Sequence, residues 1–300
     1  MTRGMYAGRQ TTLREQVSVS GVGVHSGSPV TVTLHPAEAD TGIVFWRGGI
    51  DGGKDRQLQA NFRSVTATEF ATVLGDRDGP AVSTTEHILA ALYALGVDNA
   101  VVEVDGPEVP IMDGSAAPFV EAIDQAGIET LSAARRYIKV LKPVRVNAAG
   151  SYGELRPYAR GLRIEAEIEF ADSPIGRQSF ALDIEPQLFR RDLARARTFG
   201  FMRDVAKLWS AGYALGDSFE NTVVVADNRV LNSDGMRFPD EFVRHKVVDA
   251  IGDLALAGAP LMADPGAWTY SELEEPPRRA RGHADIAAGF ATVAYGPDIS

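Results

Sequence analysis

Hydrophobic positions recur at helical spacing in residues 242–254, the stretch around which the rest of the chain is organised. A repeat every three or four residues places them on one face of a helix that would lie against a core. These positions are Phe242, Val243, Val247, Ile251 and Leu254. His245 and Asp249 lie within the same stretch at i, i+4 spacing, so their imidazole and carboxylate groups can converge on one point. The pattern therefore predicts a helix that presents a histidine and an aspartate together.

A second strongly signalled helix is predicted over residues 83–96. Ser83 and Glu86 match the S-x-x-E capping box that often opens a helix, and Gly96 is a typical helix end. Shorter segments with helical character complete the set, and they are residues 117–125, 186–194 and 202–211.

Alternating apolar and polar positions predict β-strands in both halves of the chain. The predicted strands are residues 11–19, 29–34, 42–46, 99–104, 137–146, 152–156, 162–170, 178–183, 221–226 and 229–232. Each half thus has strands followed by a helix that carries a histidine near its start. This order predicts an α+β fold with two pseudo-symmetric domains, residues 1–130 and 131–300, each a small β-sheet packed on helices. The site is expected at the domain junction.

Composition and charge narrow the classes of function. Hydrophobic residues make up 45% and charged residues 23% of the 300 residues, an ordinary globular balance. No apolar run approaches the roughly 18 residues that a membrane span needs, and no signal peptide is recognised, so we expect a cytoplasmic protein. The net charge of −10 argues against a nucleic-acid partner but leaves room for a small anionic ligand. Nothing in the chain requires more than a monomer.

The chain has no cysteine, so a zinc ion would have to be bound by His, Asp or Glu. His87 is the candidate third ligand beside His245 and Asp249. Two histidines and one aspartate leave one coordination position open, as in hydrolytic zinc sites, although the same donors also suit ferrous iron. The alternative interpretation is an exposed histidine and aspartate on an amphipathic helix.

Several neighbouring residues have the chemistry of an amide-hydrolysing site. Glu86, next to His87, is a candidate general base, or it serves only as a helix cap. Lys246 could stabilise negative charge on a carbonyl oxygen, or it is a solvated side chain, and Thr198 could donate a hydrogen bond to an oxyanion. His25 lies in the glycine-rich stretch 21–27, where backbone can approach a ligand closely, although the turn alone is a weak signal.

Four segments, taken together, resemble the zinc deacetylases of lipid A biosynthesis, the UDP-3-O-acyl-N-acetylglucosamine deacetylase family. They are Val-Ser-Thr-Thr-Glu-His-Ile-Leu-Ala-Ala-Leu (82–92), Pro-Glu-Val-Pro-Ile-Met-Asp-Gly-Ser-Ala-Ala-Pro-Phe (107–119), Arg-Ala-Arg-Thr-Phe-Gly-Phe-Met-Arg-Asp (195–204) and the stretch 229–254 that ends with the His245 helix. The similarity runs in order over about residues 11–260, and the combination of motifs is highly specific.

The resemblance implies two α+β domains facing each other around a zinc ion. It also implies hydrolysis of the acetamide of UDP-3-O-(3-hydroxyacyl)-N-acetylglucosamine, which gives acetate and a free amine. The residues that match the zinc ligands are His87, His245 and Asp249. Those that match catalytic groups are Glu86 as general base, Lys246 near the scissile carbonyl and Thr198 on the oxyanion side. Those that fall where the family contacts substrate are His25, Phe199 and Phe201.

The chain departs from the family at the general acid, a histidine in a Gly-His-x-Leu-Asn segment. The Gly-His pair recurs only at His283, without the Leu-Asn. Either a preceding insertion displaces the segment and His283 is the acid, or the segment is deleted. We favour deletion because only 17 residues follow His283, and Asp253 would then lack the histidine that it supports in the family. An alternative function follows, a catalytically impaired relative that binds zinc and a nucleotide sugar.

Overall fold

A computed structural model describes residues 8–48, 56–75, 81–148, 151–158, 160–170, 173–264 and 268–271. Five α-helices occur in these ranges, and they are α1 (Glu86–Leu95), α2 (Ala117–Ala126), α3 (Pro186–Asp192), α4 (Met202–Ser210) and α5 (Glu241–Ala255). All five predicted helices are thus present, with ends that differ by a few residues.

The strands of the first half form three sheets. They are β1 (Arg9–Leu13), β2 (Val17–Val22), β3 (Pro29–Pro36), β4 (Ile43–Arg47), β5 (Arg56–Gln59), β6 (Val65–Ala67), β7 (Val73–Gly75), β8 (Ala81–Val82), β9 (Ala100–Val104) and β10 (Ile128–Ala134). The largest sheet has the order β2-β3-β9-β4-β5, in which only β4 and β9 are parallel neighbours. The strand predicted over residues 11–19 is in fact two strands that join different sheets, because β1 pairs with β10 and β2 pairs with β3.

The second half contributes a seven-stranded sheet and a three-stranded one. Their strands are β11 (Ile138–Lys139), β12 (Val144–Ala148), β13 (Ser151–Pro157), β14 (Arg163–Phe170), β15 (Gly176–Asp183), β16 (Phe199–Phe201), β17 (Val223–Ala226), β18 (Arg229–Val230), β19 (Leu261–Asp264) and β20 (Trp268–Ser271). The larger sheet has the order β11-β19-β13-β20-β14-β15, with β12 paired to β13, and the smaller has the order β16-β17-β18.

Helices α1 and α5 pack against each other and connect the two halves. On α1, every residue after Glu86 is buried, which explains why its sequence is apolar almost all the way round. Helix α1 also contacts α2, which lies on β2, while α5 lies on β14 and β15. The helices therefore lie between the two larger sheets, and the α+β class predicted from the sequence is confirmed.

The start of α1 differs from the prediction. The helix begins at Glu86 rather than near Ser83, because Thr84 has a left-handed backbone (φ +57°) that interrupts helical geometry. Within the described residues no side chain caps this terminus, so the predicted capping box is wrong. Ser83 instead donates a hydrogen bond to the carbonyl of Pro107. The predicted end is correct, since Gly96 is left-handed and its N–H bonds back to the last turn.

In the ranges that the structure describes, no helix is both long and apolar enough to cross a membrane.

Candidate metal centre

Three side chains from α1 and α5 converge at the crossing of the two helices. His87 is the second residue of α1, and His245 and Asp249 lie one turn apart on α5. One potential ligand atom from each lies within 4.8 Å of the others. All three residues are at least nine-tenths buried. The alternative of an exposed histidine and aspartate on an amphipathic helix is therefore wrong.

The spacing of the three donor atoms fits a tetrahedral metal ion. Asp249 Oδ1 lies 3.5 Å from His87 Nε2 and 3.4 Å from His245 Nε2. A tetrahedral zinc ion with bonds of about 2.0–2.1 Å requires donors about 3.3 Å apart. The imidazole rings are nearly perpendicular, at 84°, with centroids 5.0 Å apart, so both nitrogens can face one point. The residues present therefore fit a divalent metal with little movement.

Hydrogen bonds outside the cluster orient two of the three side chains. His245 Nδ1 donates to the carbonyl oxygen of Ala196 at 3.1 Å, which leaves Nε2 as the nitrogen that faces Asp249. Lys246 Nζ donates to Asp249 Oδ2 at 3.0 Å and so leaves Oδ1 for the two histidines. A backbone carbonyl and a lysine thus select the atoms that can bind a metal.

The electrostatics of the cluster keep its side chains in the protonation states that metal binding needs. Burial lowers the pKa of His245 to about 3, so its imidazole is neutral at physiological pH. Burial alone would raise the pKa of Asp249, but His245, Lys246 and His87 together hold it well below its ordinary value. The site therefore offers a neutral imidazole and a carboxylate anion to a cation.

Glu86 lies beside the cluster with only one carboxylate oxygen satisfied. Its Oε1 accepts a hydrogen bond from the backbone N–H of Thr72. Its Oε2 is buried and has no hydrogen-bond partner among the described residues. Burial, and then the charge of Asp249, raise the pKa of Glu86 to about 6. A carboxylate with a raised pKa and one free oxygen is suited to accept a proton near neutral pH.

Strand β16 brings Phe199 next to α5, with Thr198 directly before it in the chain. The Phe199 ring lies 6.4 Å from the His245 ring, and Lys246 Nζ lies 5.2 Å from the Phe199 centroid. Phe201 packs against Phe170 at 5.7 Å. Thr198 is held through its backbone, which bonds to Gly114 and Val223 at 2.8 Å each. Of the predicted residues 198, 199 and 201, Phe199 thus lies next to the metal ligand His245, while Thr198 precedes it in the chain and Phe201 follows on the same strand.

The remaining predicted site residues have different positions. His25 packs edge-on against Tyr213 at 5.3 Å, and its Nδ1 accepts from the N–H of Ala214 at 3.4 Å. Glu108 fixes the glycine-rich turn, because its carboxylate accepts hydrogen bonds from the backbone N–H groups of His25 and Ser26. His283 lies outside the described residues.

Sequence reasoning missed two residues that contact the site. Ala196 contributes only a carbonyl oxygen, which no side-chain pattern can indicate. Thr72 contacts Glu86 through its backbone, and its hydroxyl donates to Asp253 at 2.8 Å. Asp253 thus accepts a hydrogen bond from this threonine, and the prediction that it lacks the family's histidine stays a prediction, because His283 lies outside the described residues.

Comparisons with known proteins agree with this geometry. The sequence profile of the family described as UDP-3-O-acyl N-acetylglycosamine deacetylase (LpxC) matches residues 10–269. The UDP-3-O-acyl-N-acetylglucosamine deacetylases of Brucella ovis and Brucella canis are 52% identical over 254 residues, which cover 84% of this chain and 87% of each relative. That of Brucella melitensis biotype 2 shows the same identity and coverage. The chain therefore belongs to the UDP-3-O-acyl N-acetylglycosamine deacetylase family.

Proposed function

We propose that the protein hydrolyses the N-acetyl group of UDP-3-O-(3-hydroxyacyl)-N-acetylglucosamine and releases acetate in lipid A biosynthesis. The observation that carries this proposal is the buried triangle of His87, His245 and Asp249 beside the unpartnered oxygen of Glu86. A metal-binding set next to a carboxylate of raised pKa is the arrangement that amide hydrolysis by water requires. Membership of the deacetylase family supports the same substrate class.

Each residue has a distinct role in the proposed mechanism. His87, His245 and Asp249 hold the metal ion. A bound zinc ion polarises a carbonyl oxygen and makes water more acidic. Glu86 takes the proton of the attacking water through Oε2. Thr198 and Lys246 stabilise the negative charge that develops on the acetyl oxygen. Lys246 donates to Asp249 at 3.0 Å, so it must either leave that bond or donate a second hydrogen to the acetyl oxygen.

We assign the aromatic residues and His25 to substrate binding. Phe199 and Phe201 form an apolar edge beside the metal ligands, which suits the acyl chain. His25 is held by Ala214 and Tyr213 and carries a polar ring for the sugar or nucleotide. These assignments stay predictions until ligand-bound structures or variants test them.

We infer that zinc is the resident metal and that one chain is sufficient. The three donors and their near-tetrahedral spacing suit Zn²⁺, while ferrous iron accepts the same donors. All three ligands come from a single chain, so the site does not require a second copy. Metal analysis of protein purified without added metal distinguishes zinc from iron. The expected cytoplasmic location remains a prediction.

Protonation of the departing amine needs an acid, and His283 is the candidate from the sequence. If His283 supplies the proton, His283→Ala lowers kcat by about 10²–10⁴-fold, the usual contribution of a general acid. If the family's acid segment is deleted, His283→Ala leaves kcat unchanged and a different group protonates the amine.

The first experiment is the release of acetate from UDP-3-O-(3-hydroxyacyl)-N-acetylglucosamine by the zinc-loaded protein. Turnover that falls about 10²–10⁴-fold in Glu86→Gln, with zinc retained, supports the proposed mechanism. If the protein binds zinc and substrate but releases no acetate, the proposed hydrolase function is contradicted, and the interpretation as a binding protein remains.

A further inference from the structure

Thr72 makes three hydrogen bonds that join the start of α1 to α5. Its backbone N–H donates to Glu86 Oε1, and its carbonyl accepts from the Thr85 hydroxyl at 3.4 Å. Its own hydroxyl donates to Asp253 Oδ1 at 2.8 Å. Thr72 is 3% exposed, so this set of bonds is shielded from water. One residue thus contacts both helices that carry the metal ligands.

The bond to Oε1 determines which oxygen of Glu86 remains free. A glutamate carboxylate rotates in a broad, roughly two-fold well, so its two oxygens are equivalent unless a neighbour distinguishes them. The N–H of Thr72 occupies Oε1, and Oε2 is left buried with no hydrogen-bond partner in the described part of the chain. A single fixed oxygen is therefore available to accept a proton.

Regular secondary structure does not fix the position of Thr72, because the three residues before β7 are not part of a strand. Phe70 has a left-handed backbone (φ +65°) and a half-exposed side chain. Asp253 supplies a contact to Thr72 from α5, four residues after Asp249 and on the same helix face. Asp253 is 2% exposed. The hydrogen bond to Asp253 therefore ties the segment that holds Glu86 to the helix that holds two metal ligands.

We propose that the Thr72–Asp253 hydrogen bond positions Glu86 for proton abstraction. Thr72 is a positioning residue: it acts through Glu86, and it binds neither the metal nor the substrate. This inference rests on the proposed hydrolytic function, in which Glu86 is the base. Misplacement of a reacting group by about 1 Å can lower a rate about 10²-fold, so a loss of 10- to 100-fold in kcat is expected without this bond.

Two variants of Thr72 separate the hydroxyl from the shape of the side chain. Thr72→Val keeps the shape and removes the donor to Asp253, whereas Thr72→Ser keeps the donor. We expect Thr72→Val to lower kcat about 10- to 100-fold with KM and zinc content unchanged, and Thr72→Ser to recover most of the activity. Thr12→Val is the matched control, since the buried hydroxyl of Thr12 bonds to the carbonyl of Asn99 and the N–H of Ala37, which belong to neither ligand helix.

The outcomes distinguish positioning from simple destabilisation. Wild-type turnover with an equally active Thr72→Val would overturn the positioning role, and so would an equal loss in Thr72→Val and Thr72→Ser. A loss of activity that follows a loss of zinc would overturn it as well. Absence of turnover in the wild-type protein itself contradicts the proposed function rather than the hydrogen bond.

A second measurement tests the contact without turnover. A double-mutant cycle with Thr72→Val and Asp253→Ala, read as the free energy of unfolding of the metal-free protein, measures the coupling across the Thr72–Asp253 hydrogen bond. Non-additive effects are expected, because each substitution removes one partner of that hydrogen bond. Strictly additive effects would overturn the proposal whether or not the protein is an active deacetylase.

Discussion

Gly252 of α5 lies directly against the backbone of Glu86 at the start of α1. A β-carbon built on Gly252 would come within 2.1 Å of the carbonyl oxygen of Glu86 and 2.8 Å of its Cα. Gly252 follows Asp249 by three residues and so shares its side of α5. The absence of a side chain at this position lets α1 approach closely enough for His87 to reach the pair on α5.

Gly252→Ala should separate the two helices and weaken the metal site. Alanine is favoured over glycine in a helix by about 1 kcal/mol. The added β-carbon, however, would overlap the backbone of Glu86, which cannot change rotamer as a side chain can. We expect a net loss of about 1–3 kcal/mol in the free energy of unfolding. Zinc affinity should also fall, because the distance from His87 to Asp249 increases. Denaturant unfolding and zinc titration measure the two effects.

Gly48→Ala is the control for the glycine change. Gly48 has open space around it and an exposed position, so the same substitution should leave stability and zinc affinity unchanged. A Gly252→Ala protein that matched Gly48→Ala in both measurements would show that α1 tolerates the displacement.

Removal of a metal ligand should abolish stoichiometric metal binding. His245→Ala leaves two donors, and we expect zinc affinity to fall by more than the roughly 10- to 100-fold that loss of an outer hydrogen bond causes. His35→Ala is the matched control, because His35 pairs with Glu103 at 2.7 Å on the partly exposed face of a sheet, on strands rather than on α1 or α5. Zinc content after dialysis, measured by elemental analysis, checks the prediction. Equal zinc in both variants would refute the assigned ligand set.

The local part of the site follows from the sequence. The i, i+4 spacing of His245 and Asp249 determines their common face in any helix, and Gly96 determines where α1 ends. The contacts of Glu86 are harder to predict from the sequence. Its carboxylate bonds to Thr72, which lies fourteen positions earlier in a segment without a regular pattern. The sequence therefore suggested a capping box that the left-handed Thr84 prevents.

Long-range contacts explain most of what the sequence could not predict. Thr72 and Asp253 are 181 residues apart, and no spacing rule joins them. The parallel pairing of β4 with β9 likewise depends on packing rather than on the alternation within each strand. The division into domains 1–130 and 131–300 stays a prediction. Helix α1 of the first half packs directly against α5 of the second, so these contacts do not separate the two halves.

Glu86→Gln should stabilise the metal-free protein at neutral pH. The folded state raises the pKa of Glu86 from 4.5 to about 6, through burial and then the charge of Asp249. Because the folded state binds this proton more tightly than the unfolded state, ionisation above pH 6 costs about 2 kcal/mol of stability, and the cost disappears below pH 4.5. The gain from glutamine should therefore appear at pH 7.5 and vanish near pH 4.

Thermal unfolding of the metal-free wild-type and Glu86→Gln proteins across this pH range measures the effect. Glu121→Gln, on the exposed side of α2, controls for the change of charge. A Glu86→Gln protein less stable than the wild type at pH 7.5 would contradict a buried, unpartnered carboxylate at this position.

Glu241→Gln should destabilise the protein and loosen His245. Arg197 is 1% exposed, and its Nε and backbone N–H both donate to Glu241 Oε1, at 2.9 and 3.0 Å. This pair holds the loop whose Ala196 carbonyl orients His245. Loss of one partner of a buried ion pair costs about 3–5 kcal/mol, and we expect the lower end because Asp234 still pairs with Arg197 at 3.0 Å.

The exposed pair of Arg177 and Glu167 is the matched control for this buried one. Its atoms lie 2.9 Å apart, as close as those of the buried pair, but water screens them, so Arg177→Gln should change stability little. Zinc affinity should fall about 10-fold in Glu241→Gln alone, because the hydrogen bond that orients His245 is weakened. Chemical denaturation and zinc titration of both variants give the comparison. Full stability of Glu241→Gln would mean that Asp234 and the carbonyl of Gly235 suffice to hold Arg197 and its loop in place.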